Sequence, residues 1–356
     1  MSVWNDILKD NESVFQDPVA LSYDYLPKLV PFRENEQKKV AACVKPLFSR
    51  TPGRNMLVYG LPGVGKTVAI RHVLNEIEEH TDEIISLYIN CWKKNTSYKI
   101  LIEICELIGY KFTHNKTTQD LFKIIKEKLN KYSVVFCFDE VDKLEDTDFL
   151  YFILEDIYRA SIVLITNYKN WLAALDERIK SRLTPELMEF RPYNDFEIKG
   201  ILENRLQFAF VPNVWQDDAF SMVVQKTAEY EDVRAGLYLL KESGICAEEM
   251  SSKKIMLEHA NKAFTKMQEF TVKQTQELED DAKFILNLVK ENSGKRIGDL
   301  FTSYQEKGGL RVYKSFQRKI QSLSEAGFIE VEKVTGTGGN TTLIKSKDGV
   351  KKLTDF

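Results

Sequence analysis

The chain has 356 residues, of which 43% are hydrophobic and 29% are charged, and its formal net charge is −3. This length predicts two or three domains, and the balance of apolar and charged residues excludes an extensively disordered chain. Its 5 cysteines are scattered and form no CxxC pair, which favours buried thiols over a disulfide framework. No apolar run approaches the ~20 residues of a membrane span, and the N-terminus lacks a secretion signal, so we expect a cytoplasmic protein without a membrane partner.

The first large section of the chain, from about residue 55 to residue 167, alternates between apolar strands and amphipathic helices. Such a rhythm predicts a parallel sheet with helices on both faces, the α/β fold class. Strands are predicted at 56–59, 84–90, 133–140 and 161–167, and helices at 67–80, 98–107 and 118–129.

A glycine-rich loop follows the first predicted strand and precedes a helix. Its sequence GLPGVGKT, residues 60–67, matches G-x-x-x-x-G-K-[ST]. In that motif backbone N–H groups face phosphate oxygens, the lysine (Lys66) contacts the β- and γ-phosphates, and the hydroxyl (Thr67) ligates magnesium. The pattern predicts a site for ATP or ADP with Mg²⁺. The other loop residues expected to contact the nucleotide are Pro62, Gly63, Val64, Gly65 and Val68.

Polar residues end the third and fourth apolar strands. Asp139 is expected to hold Mg²⁺ together with Thr67, and Glu140 to polarise a water molecule for attack on the γ-phosphate. Asn167 would lie beside the γ-phosphate and help to position that water. An acidic residue at a strand end is often an ordinary cap, but its spacing behind the phosphate loop favours the catalytic interpretation.

Beyond Pro192 the pattern becomes helical and then changes again near residue 272. Three helices followed by two strands around a glycine-rich loop predict a winged helix-turn-helix. We therefore expect a nucleotide-binding core at 1–190, a helical lid at 191–271 and a winged helix at 272–356. The predicted lid helices are 195–208, 216–228, 233–248 and 251–271, and the predicted winged-helix elements are helices 280–292, 297–307 and 313–326 with strands 328–334 and 341–346.

The third helix of the predicted winged helix has an apolar face, on which Phe316, Ile320 and Leu323 recur at helical spacing. Its other face carries cations suited to phosphates and amides suited to base edges. From Gly294 onward twelve basic residues oppose seven acidic ones, a local charge of +5. Duplex DNA is therefore favoured over a protein as the partner. The expected contacts are Lys314, Gln317, Arg318 and Gln321 on the helix, and Lys333, Gly338, Gly339, Asn340 and Lys345 in the wing.

The order of these motifs resembles the AAA+ class of ATPases. LDERIKSRL, residues 175–183, resembles the box from which an arginine reaches the nucleotide of a neighbouring subunit. The resemblance implies that Arg182 or Arg178 has this role, and leaves open which. EDVRAGLYLL, residues 231–240, resembles the second sensor motif, in which Arg234 would face the phosphates.

Further stretches resemble the archaeal origin-recognition initiators within that class. YLPKLVPFRENE, residues 25–36, is similar to the family's N-terminal box, and FRPYNDFEIKGILENR, residues 190–205, is similar to its first lid helix. The resemblance covers nearly the whole chain. It implies that Tyr193 and Arg205 lie near the nucleotide and that Lys93 and Lys94 make a second DNA contact. The residues expected to pack on the adenine are Leu29, Val30, Pro31, Phe32 and Arg33.

The resemblance implies a replication initiator that binds ATP and origin duplex DNA in the nucleoid, and in which slow hydrolysis acts as a switch. Its implied partners are other initiator subunits and the replicative helicase. Two alternatives stay open. A winged-helix transcriptional regulator with a weak ATPase would bind at promoters and not at an origin. A clamp-loader-like or protein-remodelling AAA+ machine would form stable rings in ATP without affinity for duplex DNA.

Overall fold

The structure is a computed structural model that describes residues 13–276, 280–309, 313–325, 327–336 and 339–346. The chain divides into two compact units. The first contains residues 16–210 and 224–233, and the second contains residues 1–15, 211–223 and 234–356. Within the described ranges, no helix combines the length and the apolar character needed to cross a membrane. All five cysteines are buried free thiols, which confirms the prediction made for them.

A five-stranded parallel sheet forms the centre of the first unit. Its strand order is β2-β3-β4-β1-β5, and every neighbouring pair is parallel. Parallel pairing places the carboxyl ends of the strands along one edge, where ligands of open α/β sheets bind. The strands are β1 (Met56–Gly60), β2 (Ile84–Asn90), β3 (Ser133–Asp139), β4 (Ala160–Thr166) and β5 (Glu186–Phe190).

Helices cover both faces of this sheet, as predicted. Because successive side chains of a strand point to opposite faces, Phe136 and Phe138 pack into one core cluster and Cys137 into the other. Every residue of β3 is buried, which explains its unbroken apolar run. The helices are α1 (Glu34–Val44), α2 (Lys66–His80), α3 (Ser97–Leu107), α4 (Thr118–Leu129), α5 (Asp148–Asp156), α6 (Glu177–Leu183) and α7 (Asp195–Ala209).

Four of these helices and strands of the first unit were not predicted from the sequence: α1, α5, α6 and β5. The edge strand β5 has the sequence ELMEF, in which Met188 and Phe190 are buried and the other three residues are exposed. A strand this short, with both buried and exposed residues, has too little hydrophobic pattern to be predicted from the sequence. Two predicted strand ends also need correction, because Glu140 and Asn167 lie one residue beyond β3 and β4. Glu140 has a left-handed φ of 57°, which ends β3.

Helices dominate the remainder of the chain up to the winged helix, and their bounds are α8 (Asp217–Tyr230), α9 (Val233–Glu249) and α10 (Leu257–Gln276). The helix predicted from residue 251 begins at Leu257, because Ser251 has a left-handed φ of 52° and the residues after it form bends and an isolated bridge. There Ile255 forms a bridge with Trp215, and its N–H donates to Val214 O over 2.7 Å. The three domains proposed above, with boundaries after residues 190 and 271, stay predictions.

The C-terminal elements form the predicted winged helix, with α11 (Asp280–Glu291), α12 (Ile297–Glu306), α13 (Tyr313–Glu325) and the strands β6 (Lys295–Arg296), β7 (Ile329–Gly336) and β8 (Gly339–Ser346). Phe316, Ile320 and Leu323 are buried in its core, which confirms the predicted apolar face. The wing differs from the prediction in two respects. The two-residue strand β6 adds a third strand next to β8, and β7 and β8 extend into the loop predicted at 335–340.

Candidate nucleotide and DNA sites

The loop between β1 and α2 has the backbone that a phosphate-binding loop requires. Gly63 and Gly65 have φ angles of +75° and +85°, a left-handed conformation that favours glycine. Space is restricted as well. A Cβ at Gly63 would lie 2.0 Å from Asp232 Oδ1, and a Cβ at Gly65 would lie 2.5 Å from the Tyr193 hydroxyl. The left-handed conformation therefore favours glycine at both positions, and a larger residue would also have to displace the Asp232 carboxylate or the Tyr193 hydroxyl.

Lys66 is fixed at the first turn of α2. It is 7% exposed, and its Nζ donates to the carbonyl oxygens of Gly60 and Leu61 over 2.8 and 2.9 Å. A third bond of 2.8 Å reaches Asn167 Oδ1. The structure thus brings together two residues that are 101 positions apart in the sequence and that were both assigned to the phosphate end of the nucleotide.

Asp139, at the end of β3, receives three hydrogen bonds. Thr67 Oγ1 and the Tyr88 hydroxyl donate to its Oδ2 over 2.7 and 2.8 Å, and the N–H of Glu140 donates to Oδ1 over 2.9 Å. The side chain is 1% exposed. Burial raises the pKa of Asp139 above its ordinary value, while the hydrogen bonds to the carboxylate oppose that rise. Thr67 and Asp139, the predicted magnesium pair, are in direct contact.

Asp142 is a functional candidate that the sequence reasoning missed. Its Oδ1 accepts from Thr166 Oγ1 over 3.0 Å and from the N–H of Asn167 over 3.3 Å. The carboxylate therefore holds the end of β4, from which the Asn167 side chain reaches Lys66. Its position three residues after Asp139 is a weak signal, because nothing in the sequence shows that the turn folds back onto β4.

Arg33 lies beneath the phosphate loop and is completely buried. Its Nε and Nη2 donate to the carbonyl oxygen of Val64 over 3.1 and 3.0 Å, and Nη2 also donates to Arg191 O over 2.5 Å. The guanidinium stacks on the Tyr193 ring at 3.9 Å from the centroid and pairs with Glu36 over 3.3 Å. Burial raises the pKa of Tyr193. Arg33 and Tyr193 thus support the loop from the side of the N-terminal segment.

The other residues expected around the adenine occupy different environments. Val30 is buried in the core cluster that includes α1 and α2, Pro31 is partly buried, and Leu29 is 71% exposed. Phe32 has a φ of 65° and meets Phe196 edge to face with the ring centroids 6.0 Å apart. Their contact with an adenine stays a prediction.

Arg205, also expected near the nucleotide, contacts the N-terminal segment. It donates to Ala20 O over 3.2 Å and lies over the Tyr25 ring, 4.8 Å from the centroid. Burial lowers the pKa of this guanidinium. These two contacts tie Arg205 to the segment ahead of the core. Its contact with the nucleotide stays a prediction.

The two arginines of the predicted trans-acting box lie over one tyrosine of α5. The guanidinium carbons of Arg178 and Arg182 are 5.7 and 5.1 Å from the Tyr151 centroid. Arg178 Nε also pairs with Asp176 over 3.0 Å, and Arg182 Nε with Glu155 over 2.6 Å. Both side chains are exposed, so the geometry leaves both as candidates. Arg234 belongs to the second unit, and its role at the phosphates stays a prediction.

The loop that carries Lys93 and Lys94 follows β2. Lys93 is exposed, whereas Lys94 Nζ pairs with Glu103 over 2.6 Å. The adjoining Trp92 is 56% exposed and is covered by Lys143 Nζ at 4.5 Å from the ring centroid. This loop therefore contacts the turn that follows Asp139, and it presents Lys93 to solvent as a DNA contact would require.

The predicted DNA-binding face of α13 is exposed along its length, at Lys314, Gln317, Arg318 and Gln321. In the wing, Lys345 is exposed and its Nζ pairs with Glu332 over 2.6 Å. Three further candidates lie in the strands of the wing, and one lies outside the described residues. Those in the strands are Lys333, Gly339 and Asn340, and the remaining one is Gly338.

Comparisons with known proteins agree with this architecture. A family model described as an AAA domain matches residues 50–170, and one described as a Cdc6 AAA+ ATPase-type lid domain matches residues 199–265. The chain is 34% identical over 263 residues to ORC1-type DNA replication protein 1 of Sulfurisphaera tokodaii, which covers 70% of this chain and 66% of that protein. It is 27% identical to ORC1-type DNA replication protein 2 of Methanosarcina mazei over 96% of both chains.

Solved structures of the same kind are similar over almost the full length. The Aeropyrum pernix ORC1 protein, solved in complex with DNA, has a TM-score of 0.73 and 25% identity and covers 95% of this chain and 94% of that chain. Cdc6p of Pyrobaculum aerophilum has a TM-score of 0.65 with 19% identity over 94% of this chain and 95% of that chain, which shows the fold. With its phosphate loop, helical lid and winged helix, the chain belongs to the archaeal origin-recognition family of AAA+ proteins.

Proposed function

We propose that this chain, a DNA replication initiator of the origin-recognition family, uses nucleotide bound at the phosphate loop to control how it holds origin duplex DNA in the cytoplasm. The observation that carries the proposal is the hydrogen-bonded group at the carboxyl ends of β1, β3 and β4. There Lys66 bonds to Asn167 and Thr67 bonds to Asp139. A site with these four side chains suits phosphoryl chemistry and has no role in a purely structural module.

Magnesium fits the donor set of this site. Mg²⁺ prefers hard oxygen ligands, keeps several water molecules, and is usually bound by one or two protein groups together with phosphate oxygens. The Thr67 hydroxyl and the Asp139 carboxylate, 2.7 Å apart, are two such groups. When bound, the ion would neutralise charge on the phosphates. We propose Thr67 and Asp139 as its protein ligands, Asp139 acting through water or directly.

Residues of the chain would bind the phosphates and orient the attacking water during hydrolysis. Lys66 now donates to two carbonyl oxygens of the loop, and phosphate oxygens would take their place as acceptors. Asn167 and Glu140 would orient and polarise the attacking water. We propose that turnover is slow and acts as a switch between states of the protein.

The winged helix would supply the main contacts with DNA. The exposed cations of α13, Lys314 and Arg318, suit phosphates, whereas the amides of Gln317 and Gln321 can pair with base edges. The second candidate contact is the exposed Lys93. We further propose that Arg178 or Arg182 meets the nucleotide of another initiator subunit, and that the assembled protein helps to recruit the replicative helicase.

Neither alternative gains support from the structure or its relatives. Curated relatives that match almost the whole chain are replication proteins.

To test this proposal, DNA binding is measured by fluorescence anisotropy with origin-derived and scrambled duplexes across a salt series. The test variant is Lys314→Ala/Arg318→Ala, and the matched control is Lys38→Ala/Lys39→Ala, which removes two exposed cations from α1. We expect the wild type and the control to prefer the origin duplex. The test variant should bind about 10- to 100-fold more weakly, with a salt slope reduced by about 1.8, because each lost phosphate contact removes about 0.9. Equal binding of all variants would contradict the proposal.

A further inference from the structure

We infer that Tyr88 is a positioning residue for magnesium binding, because its hydroxyl holds the carboxylate of Asp139 in the orientation that the ion requires. The inference rests on the proposed function of Asp139 as a magnesium group. It assigns a role to a tyrosine of β2 that neither the phosphate-loop motif nor the acidic pair includes.

The register of the sheet explains why these two side chains meet. Tyr88 pairs with Cys137 across β2 and β3, and Asp139 is two residues further along β3, on the same face. The Tyr88 hydroxyl donates to Asp139 Oδ2 over 2.8 Å. The guanidinium of Arg71, on α2, lies over the tyrosine ring at 5.2 Å from its centroid, which fixes the ring against this face.

Tyr88 differs from the other two donors to Asp139. The Thr67 hydroxyl oxygen would also serve the metal, and the third donor is the backbone N–H of Glu140, in a left-handed conformation. The Tyr88 phenol, unlike the Thr67 hydroxyl, is not itself a proposed ligand of the ion. Burial, followed by the neighbouring Asp139 charge, raises the pKa of Tyr88, so the phenol keeps its proton and remains a donor.

Loss of the Tyr88 hydroxyl would remove the contact that sets the orientation of Asp139 Oδ2. Of the two side chains described as donors to this oxygen, the Thr67 hydroxyl would be left, and it is itself a proposed ligand of the ion. The carboxylate could then rotate away from the position in which it meets Mg²⁺.

The test is Tyr88→Phe in the full chain, which keeps the ring on which Arg71 packs. Its control is Tyr132→Phe, because Tyr132 is a partly exposed tyrosine just before β3, at the other end of that strand. Binding of a fluorescent ATP analogue is measured in EDTA and then as Mg²⁺ is added, at one fixed pH.

We expect Tyr88→Phe to raise the Mg²⁺ concentration at half-saturation about tenfold, as for loss of a hydrogen bond to a charged group. The loss should be confined to the magnesium-dependent part of binding. Tyr132→Phe should match the wild type. A purely structural role for Tyr88 predicts equally weakened binding in EDTA, and that result would overturn the inference.

Asp139→Asn separates failure of the inference from failure of the proposed function. If this variant loses the magnesium dependence while Tyr88→Phe retains the wild-type dependence, the inference alone is wrong. If Asp139→Asn retains the full magnesium dependence, Asp139 is not a magnesium group, and the proposed site and the inference fail together.

Discussion

The nucleotide end of the core and the recognition face of the winged helix present their functional residues in opposite ways. Lys66 and Asp139 are 7% and 1% exposed, and each takes part in three hydrogen bonds. On α13, Lys314 and Arg318 are exposed to solvent. The side chains of the first site are held in place by hydrogen bonds before a ligand binds. The exposed cations of the second site take up their final positions when DNA binds.

This difference predicts how each region responds to substitution. Removing a buried, hydrogen-bonded group leaves its partners unsatisfied, so the loss is large and not graded. Removing an exposed cation takes away one of several additive electrostatic contacts, so the loss is modest and falls as the salt concentration rises. The predictions below test that contrast, beginning with the largest effect.

Arg33→Ala should reduce the free energy of unfolding by about 3 to 5 kcal/mol, as for other buried charges whose partner groups lose their contacts. The substitution removes the guanidinium that bonds to Val64 O and Arg191 O and pairs with Glu36. Urea unfolding of the full chain measures the loss. The control is Arg50→Ala, whose exposed pair with Glu83 is worth about 0 to 1 kcal/mol. Equal stability of the two variants would contradict the role of buried Arg33 in stabilising the phosphate loop.

Asp142→Ala should slow single-turnover ATP hydrolysis about tenfold, as for loss of one hydrogen bond to a charged group, with a smaller change in nucleotide affinity. The reason is that Asn167 loses the carboxylate that holds its N–H, while Lys66 and Thr67 keep their places. Asp142→Asn retains an oxygen acceptor and should recover part of the rate. If Asp142→Ala and the wild type turn over equally fast, the carboxylate does not position Asn167 for catalysis.

On the winged helix, Lys314→Ala and Gln317→Ala should weaken DNA binding in different ways. Loss of the lysine should reduce affinity for origin and scrambled duplexes alike and lower the salt slope by about 0.9. Loss of the glutamine should leave that slope unchanged and reduce the preference for the origin, by about 1 to 3 kcal/mol if it reads a base. Anisotropy titrations at several salt concentrations distinguish them. If both variants behave in the same way, Lys314 and Gln317 do not have separate roles as a phosphate contact and a base contact.

The two regions also differ in how far the sequence predicted them. Gly63, Gly65, Lys66 and Thr67 lie within eight consecutive residues of one motif, because a phosphate loop is a local structure. The buried face of α13 was likewise predicted from helical spacing alone. Local patterns of this kind can be read without knowledge of the tertiary fold.

Other parts of the site depend on contacts between distant residues. Tyr88 meets Asp139 through the register of β2 on β3, and Asp142 meets Asn167 because the turn after β3 packs on β4. Arg33 bonds to Val64 O in the phosphate loop, a contact that the sequence did not predict, while its packing on the adenine stays a prediction. No spacing rule predicts such pairs, since the partners are set by the strand order and not by the sequence between them.

The short wing strand β6 and the edge strand β5 show the same limit for the fold. Lys295 and Arg296 form a strand because Ile344 and Leu343 lie beside them on β8. Likewise, Glu186–Phe190 becomes a strand by pairing with β1. A segment of two to five residues with charged or mixed composition acquires its structure from its neighbour.

The most direct test of nucleotide control over DNA binding compares the affinity for origin duplex in ATP and in ADP, for the wild type and for Lys66→Ala. Lys66 connects the phosphate loop to Asn167, so its loss should remove nucleotide binding, and with it any difference between the two nucleotides. We predict that the wild type binds the duplex with clearly different affinities in ATP and ADP, while Lys66→Ala binds equally in both. Equal affinities of the wild type in ATP and ADP would contradict the switch.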